Sequence, residues 1–248
     1  MDKSSILGTA TLATLALLLA SCTIDVPRSG LQTIVGSGNK VTVEKDLSGF
    51  SKVAASSAFQ VGITQSEDYS VIITVDEKVE PYLDVAVQGD TLRIAVKPGL
   101  TLSGAAFPLQ AKVTMPRLTG LELSGATRAT ISGFKSGEGF DAKVSGASQL
   151  EGDIEAGDVR FEVSGASRMG PSGKGQKMAL EASGASQANL ANFAVSEATV
   201  EVSGASRATV NVSGRLDADV SGASSLRYTG EPTLGSVKSS GASTVRPQ

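Results

Sequence analysis

The chain has no histidine and no tryptophan, and its 248 residues include a single cysteine, Cys22. Without histidine there is no imidazole to act as a base near neutral pH, no Ser-His or Cys-His nucleophile pair, and none of the commonest transition-metal ligand. With one cysteine no disulfide closes within the chain, so packing and backbone hydrogen bonds must supply the stability. Aromatic residues are scarce, three Tyr and seven Phe, which leaves few platforms for sugar rings or bases. The formal net charge of −3 offers no basic excess of the kind nucleic acid attracts, and no nucleic-acid partner is expected.

No apolar run reaches the roughly 20 residues of a membrane-spanning helix. The amino-terminal run from Ile6 to Ala20 follows a short charged start and ends on small residues, the pattern of a secretory signal. Its end, Leu19-Ala20-Ser21-Cys22, closely resembles the lipobox of bacterial lipoproteins. That resemblance implies a leader of residues 1–21 and a mature chain starting at Cys22, acylated (palmitate-type) on sulfur and amino group and held to a membrane by that anchor. Thr23 follows, where enterobacterial sorting reads Asp as an inner-membrane signal, so the outer membrane is the expected location, its face left open. Residues 22–39, with Pro27, Ser29, Gly30, Gly36 and Gly38, read as a flexible tether.

From residue 40 onward apolar residues alternate with polar ones, as in Val71, Ile73, Val75 and Leu92, Ile94, Val96. Period two with many β-branched residues means half-buried strands. Gly89-Asp90 predicts a tight hairpin between 83–88 and 91–97. The best helical candidate, Glu77 to Tyr82, is interrupted by Pro81.

The same tetrapeptide then recurs seven times: Ser124-Gly125-Ala126-Thr127, and Ser-Gly-Ala-Ser beginning at Ser145, Ser164, Ser183, Ser203, Ser221 and Ser240. The intervals are 21, 19, 19, 20, 18 and 19 residues. A unit this short cannot bury a face alone, so copies must stack. Residues one, three and five before each motif are mostly apolar, among them Phe140, Ala142 and Val144, and a further apolar residue follows five after each Ser, from Ala129 to Val245. A strand enters the motif, the chain bends at Gly125, Gly146, Gly165, Gly184, Gly204, Gly222 or Gly241, and a second strand leaves. The predicted fold is all-β, a single-chain right-handed parallel β-helix with ~19-residue coils, spanning 40–248. Residues 40–115 form irregular coils or a cap, and 116–248 the repeats. Ala is expected to fill the inner corner, and the Ser hydroxyls to bond local backbone or the equivalent hydroxyl one coil away.

Stacking puts equivalent residues about one strand spacing apart, ~4.8 Å, and creates two outward ladders. Two before each motif stand Glu122, Lys143, Glu162, Glu181, Glu201, Asp219 and Lys238. The run Glu162, Glu181, Glu201, Asp219 is a candidate Ca²⁺ strip, since it offers oxygen ligands. The same run also reads as a solvated face whose side chains meet neighbouring arginines, and no metal or other cofactor is required. Four after each Ser stand Arg128, Gln149, Arg168, Gln187 and Arg207, then Ser225 and Thr244. Alternation with Gln keeps the guanidinium groups two coils apart, a candidate binding stripe for glycan or protein, or simply a soluble face.

The order of segments is similar to a bacterial envelope family, the putative auto-transporter adhesins with a head GIN domain. The resemblance rests on Leu47-Ser48-Gly49-Phe50, Phe59-Gln60-Val61-Gly62-Ile63, Gly89-Asp90-Thr91-Leu92, Val113-Thr114-Met115-Pro116-Arg117-Leu118 and the serial Ser-Gly-Ala motifs. It implies a β-helical fold on an exported, often lipid-anchored protein, and it carries no catalytic residues. The expected function is a non-catalytic, adhesin-like binding module of the cell envelope, with a glycan or an envelope protein as partner. The alternative is an envelope scaffold self-associating through the open carboxyl-terminal end of the helix. A polysaccharide-acting enzyme would need a groove of converging carboxylates.

Overall fold

Period-two alternation in the repeats becomes two parallel sheets that enclose one apolar core. The computed structural model describes residues 32–103 and 108–248; the leader, Cys22 and the first part of the tether lie outside that range. Strands entering the corners, Phe140–Val144, Val159–Val163 and Lys177–Ala182, pair in parallel and in register, Phe140 with Val159 and Val159 with Met178. Strands leaving them, Arg128–Lys135, Gln149–Glu155 and Arg168–Lys174, do the same, Ala129 with Leu150 and Leu150 with Met169. Further on, Gln187–Val202 and Arg207–Val220 each run on through the second bend and serve both sheets. Phe140, Phe161 and Phe193 meet edge to face in the core, ring centroids 6.2 and 5.4 Å apart, the arrangement their quadrupoles favour.

Each corner glycine has a left-handed backbone, φ between 70° and 77°, which L side chains rarely adopt. Stacking adds a second demand. The Ala147 N–H donates to the Gly125 carbonyl at 2.8 Å, and Ala166, Ala185, Ala205, Ala223 and Ala242 repeat this bond coil by coil. A Cβ on Gly146 would sit 2.5 Å from the Gly125 oxygen. Glycine is therefore required both by conformation and by the coil beneath.

The occupant of the inner corner differs from expectation. Ala126, Ala147 and their equivalents face solvent, and the fourth residue turns inward: Thr127, Ser148, Ser167, Ser186, Ser206 and Ser224 are 0–2% exposed. Strand parity is the reason. Ala129 points into the core, so Thr127, two residues earlier, does too. The buried hydroxyls form the expected ladder in part: Ser148 N donates to Ser167 Oγ at 3.3 Å, Ser206 N to Ser224 Oγ at 3.3 Å, and Ser186 Oγ to the Val163 carbonyl at 3.2 Å. Thr127 Oγ1 and Ser148 Oγ have no partner among the described residues.

The amino-terminal part is a cap whose coil order departs from chain order. Lys52–Ala55 and Gln60–Gln65 pair with Gly120–Leu123 and Arg128–Ser132 on one side, and with Thr91–Ile94 and Gln110–Met115 on the other. The coil nearest the end is thus built from strands later in sequence. Antiparallel strands close it: Leu83–Gln88 forms the expected hairpin with Thr91–Val96, Ser70–Asp76 pairs with Gln110–Thr114, and Lys40–Lys45 pairs with Ser70–Asp76 in turn. Such coverage hides ladder groups that an open edge would present. Around Pro81 only a single 3-10 turn forms, Glu80–Tyr82.

Part of the stretch read as a tether is ordered. Gln32–Val35 pairs in parallel with Leu100–Ser103. Gly38 N and Ser37 Oγ donate to the buried Asp76 carboxylate at 2.9 and 3.2 Å, and Lys78 N to the same group at 3.0 Å. Burial works to raise the Asp76 pKa, but these hydrogen bonds outweigh it and hold the carboxyl below its ordinary value.

An eighth corner lies beneath the first Ser-Gly-Ala. In Ser56-Ser57-Ala58-Phe59, Ser57 and Ala58 adopt φ of 62° and 64° without glycine. Ser57 Oγ accepts the Val96 N–H at 3.2 Å, a bond that glycine could not make. Phe59 fills the inward fourth position, fully buried.

Candidate functional site

Both outward ladders stand in register, and they differ in how their charges are used. On the entering strands Glu122 pairs in register with Lys143, Lys143 with Glu162, Glu162 with Glu181, Glu181 with Glu201, Glu201 with Asp219 and Asp219 with Lys238. Arg160, on the same sheet, reaches Glu162 at 2.9 Å and Glu181 at 2.5 Å, and Lys143 reaches Glu162 at 3.0 Å. Arg160 first, then Lys143, holds the Glu162 carboxyl below its ordinary range, and Glu162 in turn raises Lys143. Half of the candidate Ca²⁺ strip is therefore occupied by basic side chains. Among the described residues no group of three or more carboxylates converges on one point.

Two acids within coils of the repeats, Asp153 beside Asp158 and Asp217 beside Asp219, are also partly engaged. Asp153 accepts the Gly133 N–H at 3.0 Å. Asp217 is held below its ordinary pKa by Arg215 and then by the Ser236 N–H. A shallow depression of about 410 Å³ lies between Asp141, Asp158, Arg160 and Lys177 on the entering-strand face.

The leaving strands present a different surface. Arg128 pairs in register with Gln149, Gln149 with Arg168, Arg168 with Gln187, Gln187 with Arg207, Arg207 with Ser225 and Ser225 with Thr244. The stripe also extends toward the cap: Gln60 stands beside Arg128, and Gln110 beside Gln60. Nine in-register strands give a strip on the order of 38 Å long. Two residues further along each strand runs a second outward row: Lys112, Gly62, Thr130, Glu151, Gly170, Asn189, Thr209, Arg227 and Arg246. The two rows carry six cationic side chains and one carboxylate, Glu151, which accepts from Gln149 Nε2.

Ion pairing separates the two faces. Arg93, Arg117, Arg160 and Arg215 each hold a carboxylate. Arg128, Arg168, Arg207, Arg227 and Arg246, all on the outer face of the leaving strands, hold none among the described residues. A chain of net negative charge thus concentrates its uncompensated guanidinium groups on one flat strip. The sequence pattern supplied Arg128, Gln149, Arg168, Gln187 and Arg207. It missed Gln60 and Gln110, because their coils lack the Ser-Gly-Ala marker, and it missed Arg227 and Arg246, because they stand one row over.

Solved structures share this architecture. A crystal structure of a putative adhesin from Bacteroides fragilis NCTC 9343 superposes with a TM-score of 0.81 at 20% identity, over 87% of this chain and 100% of that one. A putative adhesin from Parabacteroides distasonis ATCC 8503 gives a TM-score of 0.67 at 18% identity, over 88% of this chain and 100% of the other. A putative lipid binding protein from the same organism gives 0.73 at 17% identity, again over 88% and 100%. At such identities the likeness is one of fold. No curated protein matches the chain. The family model described as "Putative auto-transporter adhesin, head GIN domain" matches residues 49–232, and the chain belongs to that family.

Proposed function

We propose that this chain is a non-catalytic, adhesin-like binding module of the cell envelope, which engages its ligand through the outer face of the leaving strands. The observation that carries this reading is the segregation of uncompensated arginines, Arg128, Arg168, Arg207, Arg227 and Arg246, onto that one face. A face kept only for solubility needs no such segregation, because solubility follows the net charge of the chain and not its gathering on one face. Family membership agrees with a role outside the cytoplasm. In this reading residues 1–21 are a leader, and the acylated Cys22 anchors the module to the outer membrane. The mature chain, screened on an array of glycans and envelope proteins, should bind there and lose binding when Arg128, Arg168 and Arg207 are changed to Gln. Binding that survives the triple change would sink the assignment of this face.

A second reading has its own observation. Leu234 and Val237 stand in register with the core residues Leu216 and Ala218, yet are 48% and 37% exposed. Their strand, Thr233–Ser239, pairs on one side only among the described residues, and such an edge favours pairing with a second copy. Sedimentation of the mature chain should then show a dimer that Leu234→Glu dissolves; a monomer at high concentration would exclude it.

A further inference from the structure

The strip's spacing and its gaps narrow the class of ligand, given the reading above that this face binds. We infer that the outer face of the leaving strands takes a linear anionic polysaccharide, laid along the solenoid axis, with its charge on every second sugar. Arg128, Arg168 and Arg207 stand on alternate coils, roughly 10 Å apart at two strand spacings. An extended glycan advances by about one coil per sugar. Carboxylates or sulfates on alternate sugars therefore fall opposite the guanidinium groups, where charge-assisted bonds form. Gln149 and Gln187 lie between, and their amides both donate to and accept from sugar hydroxyls.

The second row supplies an independent observation. Gly62 and Gly170 stand within strands, where glycine weakens the structure. Neither has the positive φ of the corner glycines. A Cβ at Gly62 would meet nothing within 4 Å, and one at Gly170 only the Asn189 carbonyl, at 3.6 Å. Nothing in backbone or packing asks for glycine at Gly62, which lies in unbroken register, whereas Gly170 falls where pairing with Gln187–Val202 shifts register. A strand glycine marks a bulge or a place where a ligand or another backbone comes close; the register shift accounts for Gly170, and Gly62 is left as the open approach to the backbone. At Gly170 lies a depression of about 240 Å³ lined by Gln149, Glu151, Arg168, Gln187 and Asn189, room for a sugar ring whose acid group faces Arg168 and whose hydroxyls face Glu151.

What the strip lacks points the same way. The large exposed hydrophobics, Val35, Leu234 and Val237, all lie off it, so it offers nothing to insert into a lipid surface. Without aromatic platforms, affinity must rest on charge and fall with salt, because exposed charges are screened beyond about 10 Å at 0.1 M.

The test is binding of the mature chain to a hyaluronan oligosaccharide long enough to span the strip, which carries a carboxylate on every second sugar. Neutral dextran and phosphatidylglycerol vesicles serve as comparators. Hyaluronan should bind in a salt-dependent way and dextran should not. The triple change Arg128→Gln, Arg168→Gln and Arg207→Gln should weaken binding by roughly tenfold or more, at the modest strength of exposed ion pairs. Gly170→Gln should weaken it while leaving the melting temperature unchanged or higher, and Lys143→Gln, on the other face, should leave it unchanged. Equal binding of hyaluronan and dextran, or indifference to Gly170→Gln and the triple change together, would overturn the inference. Vesicle binding without hyaluronan binding, lost in the triple variant, would overturn the polysaccharide and leave the binding face standing. Dimers that form through the strip without glycan would replace the polysaccharide with a second copy's acidic face. If no probe binds, the polysaccharide fails, and the array screen of the preceding section decides whether the binding face fails with it.

Discussion

Gly165→Ala and Gly125→Ala make the same chemical change in the same corner motif, and the coil beneath distinguishes them. Both residues have left-handed backbones, φ 70° and 73°, so each alanine costs about 1–2 kcal/mol in conformation alone. At Gly125 the new Cβ would meet only Ser57 N at 3.4 Å and Ala58 N at 4.0 Å, ordinary contacts that add little. At Gly165 it would meet the Gly146 oxygen at 2.5 Å, its nitrogen at 3.1 Å and its carbon at 3.3 Å. The coils must separate there, which strains the 2.8 Å bond from Ala166 N to Gly146 O and the ladder bonds beside it. At about 0.5–1.5 kcal/mol net per bond, one or two lost bonds bring Gly165→Ala to roughly 2–5 kcal/mol. That is a large share of the 5–15 kcal/mol typical of a domain, and it falls in mid-stack, where a broken interface uncouples two halves of a repeat array. Urea unfolding with linear extrapolation measures both variants. Gly165→Ala should be the more destabilised by about 1–3 kcal/mol; equal losses would refute the argument that coil stacking, beyond local conformation, requires the glycine.

Three further predictions concern the buried hydroxyls, the engaged carboxylates and Cys22. Ser186→Ala removes a buried hydroxyl that donates to the Val163 carbonyl, which keeps its bond from Ser183 N, and should cost about 0.5–1.5 kcal/mol. Thr127→Val removes a buried hydroxyl without a partner and should be neutral or stabilising, so the reverse order in thermal melts would count against the ladder. Hydrogen bonds and basic neighbours hold Asp76, Glu155, Glu162 and Asp217 below their ordinary pKa values. Carboxylates with depressed values stabilise the fold fully above the unfolded values, about 3.9 for Asp and 4.3 for Glu, and lose that contribution as pH falls through the folded ones. The melting temperature should hold from pH 7 to 5 and drop below 4; a flat profile to pH 2 would contradict it. Cys22→Ser should release the exported chain from the membrane fraction, with mass spectrometry finding acyl chains on the wild type only; membrane retention of the variant would remove the anchor from the account.

The repeat half of the fold was legible because each coil carries its own marker and strand parity does the rest. Phe140, Ala142 and Val144 were assignable to the core from spacing alone, and all are buried. The same parity, counted back from Ala129, would have turned Thr127 and Ser148 inward; a preference for small apolar residues at corners pointed to Ala in their place. The cap was less legible for a different reason. Its coil order depends on Lys52–Ala55 slotting between Thr91–Val96 and Gly120–Leu123, and non-local pairing leaves no local trace. The Ser57 corner was hidden because its positive φ rests on Oγ bonding to Val96 and not on glycine. At the strip, sequence spacing gave the first row. Which arginines lack a carboxylate is a three-dimensional fact, since Arg160 finds Glu181 on the neighbouring coil, 21 residues away.

The central claim is that uncompensated arginines on the leaving strands form the binding face. Arginine-specific phenylglyoxal labelling, read by mass spectrometry with and without a saturating hyaluronan oligosaccharide, tests it residue by residue. The account predicts protection of Arg128, Arg168 and Arg207, with Arg160 and Arg215 on the opposite face unchanged. Protection of Arg160 and Arg215 instead, or no difference at any arginine while hyaluronan is demonstrably bound, would contradict it.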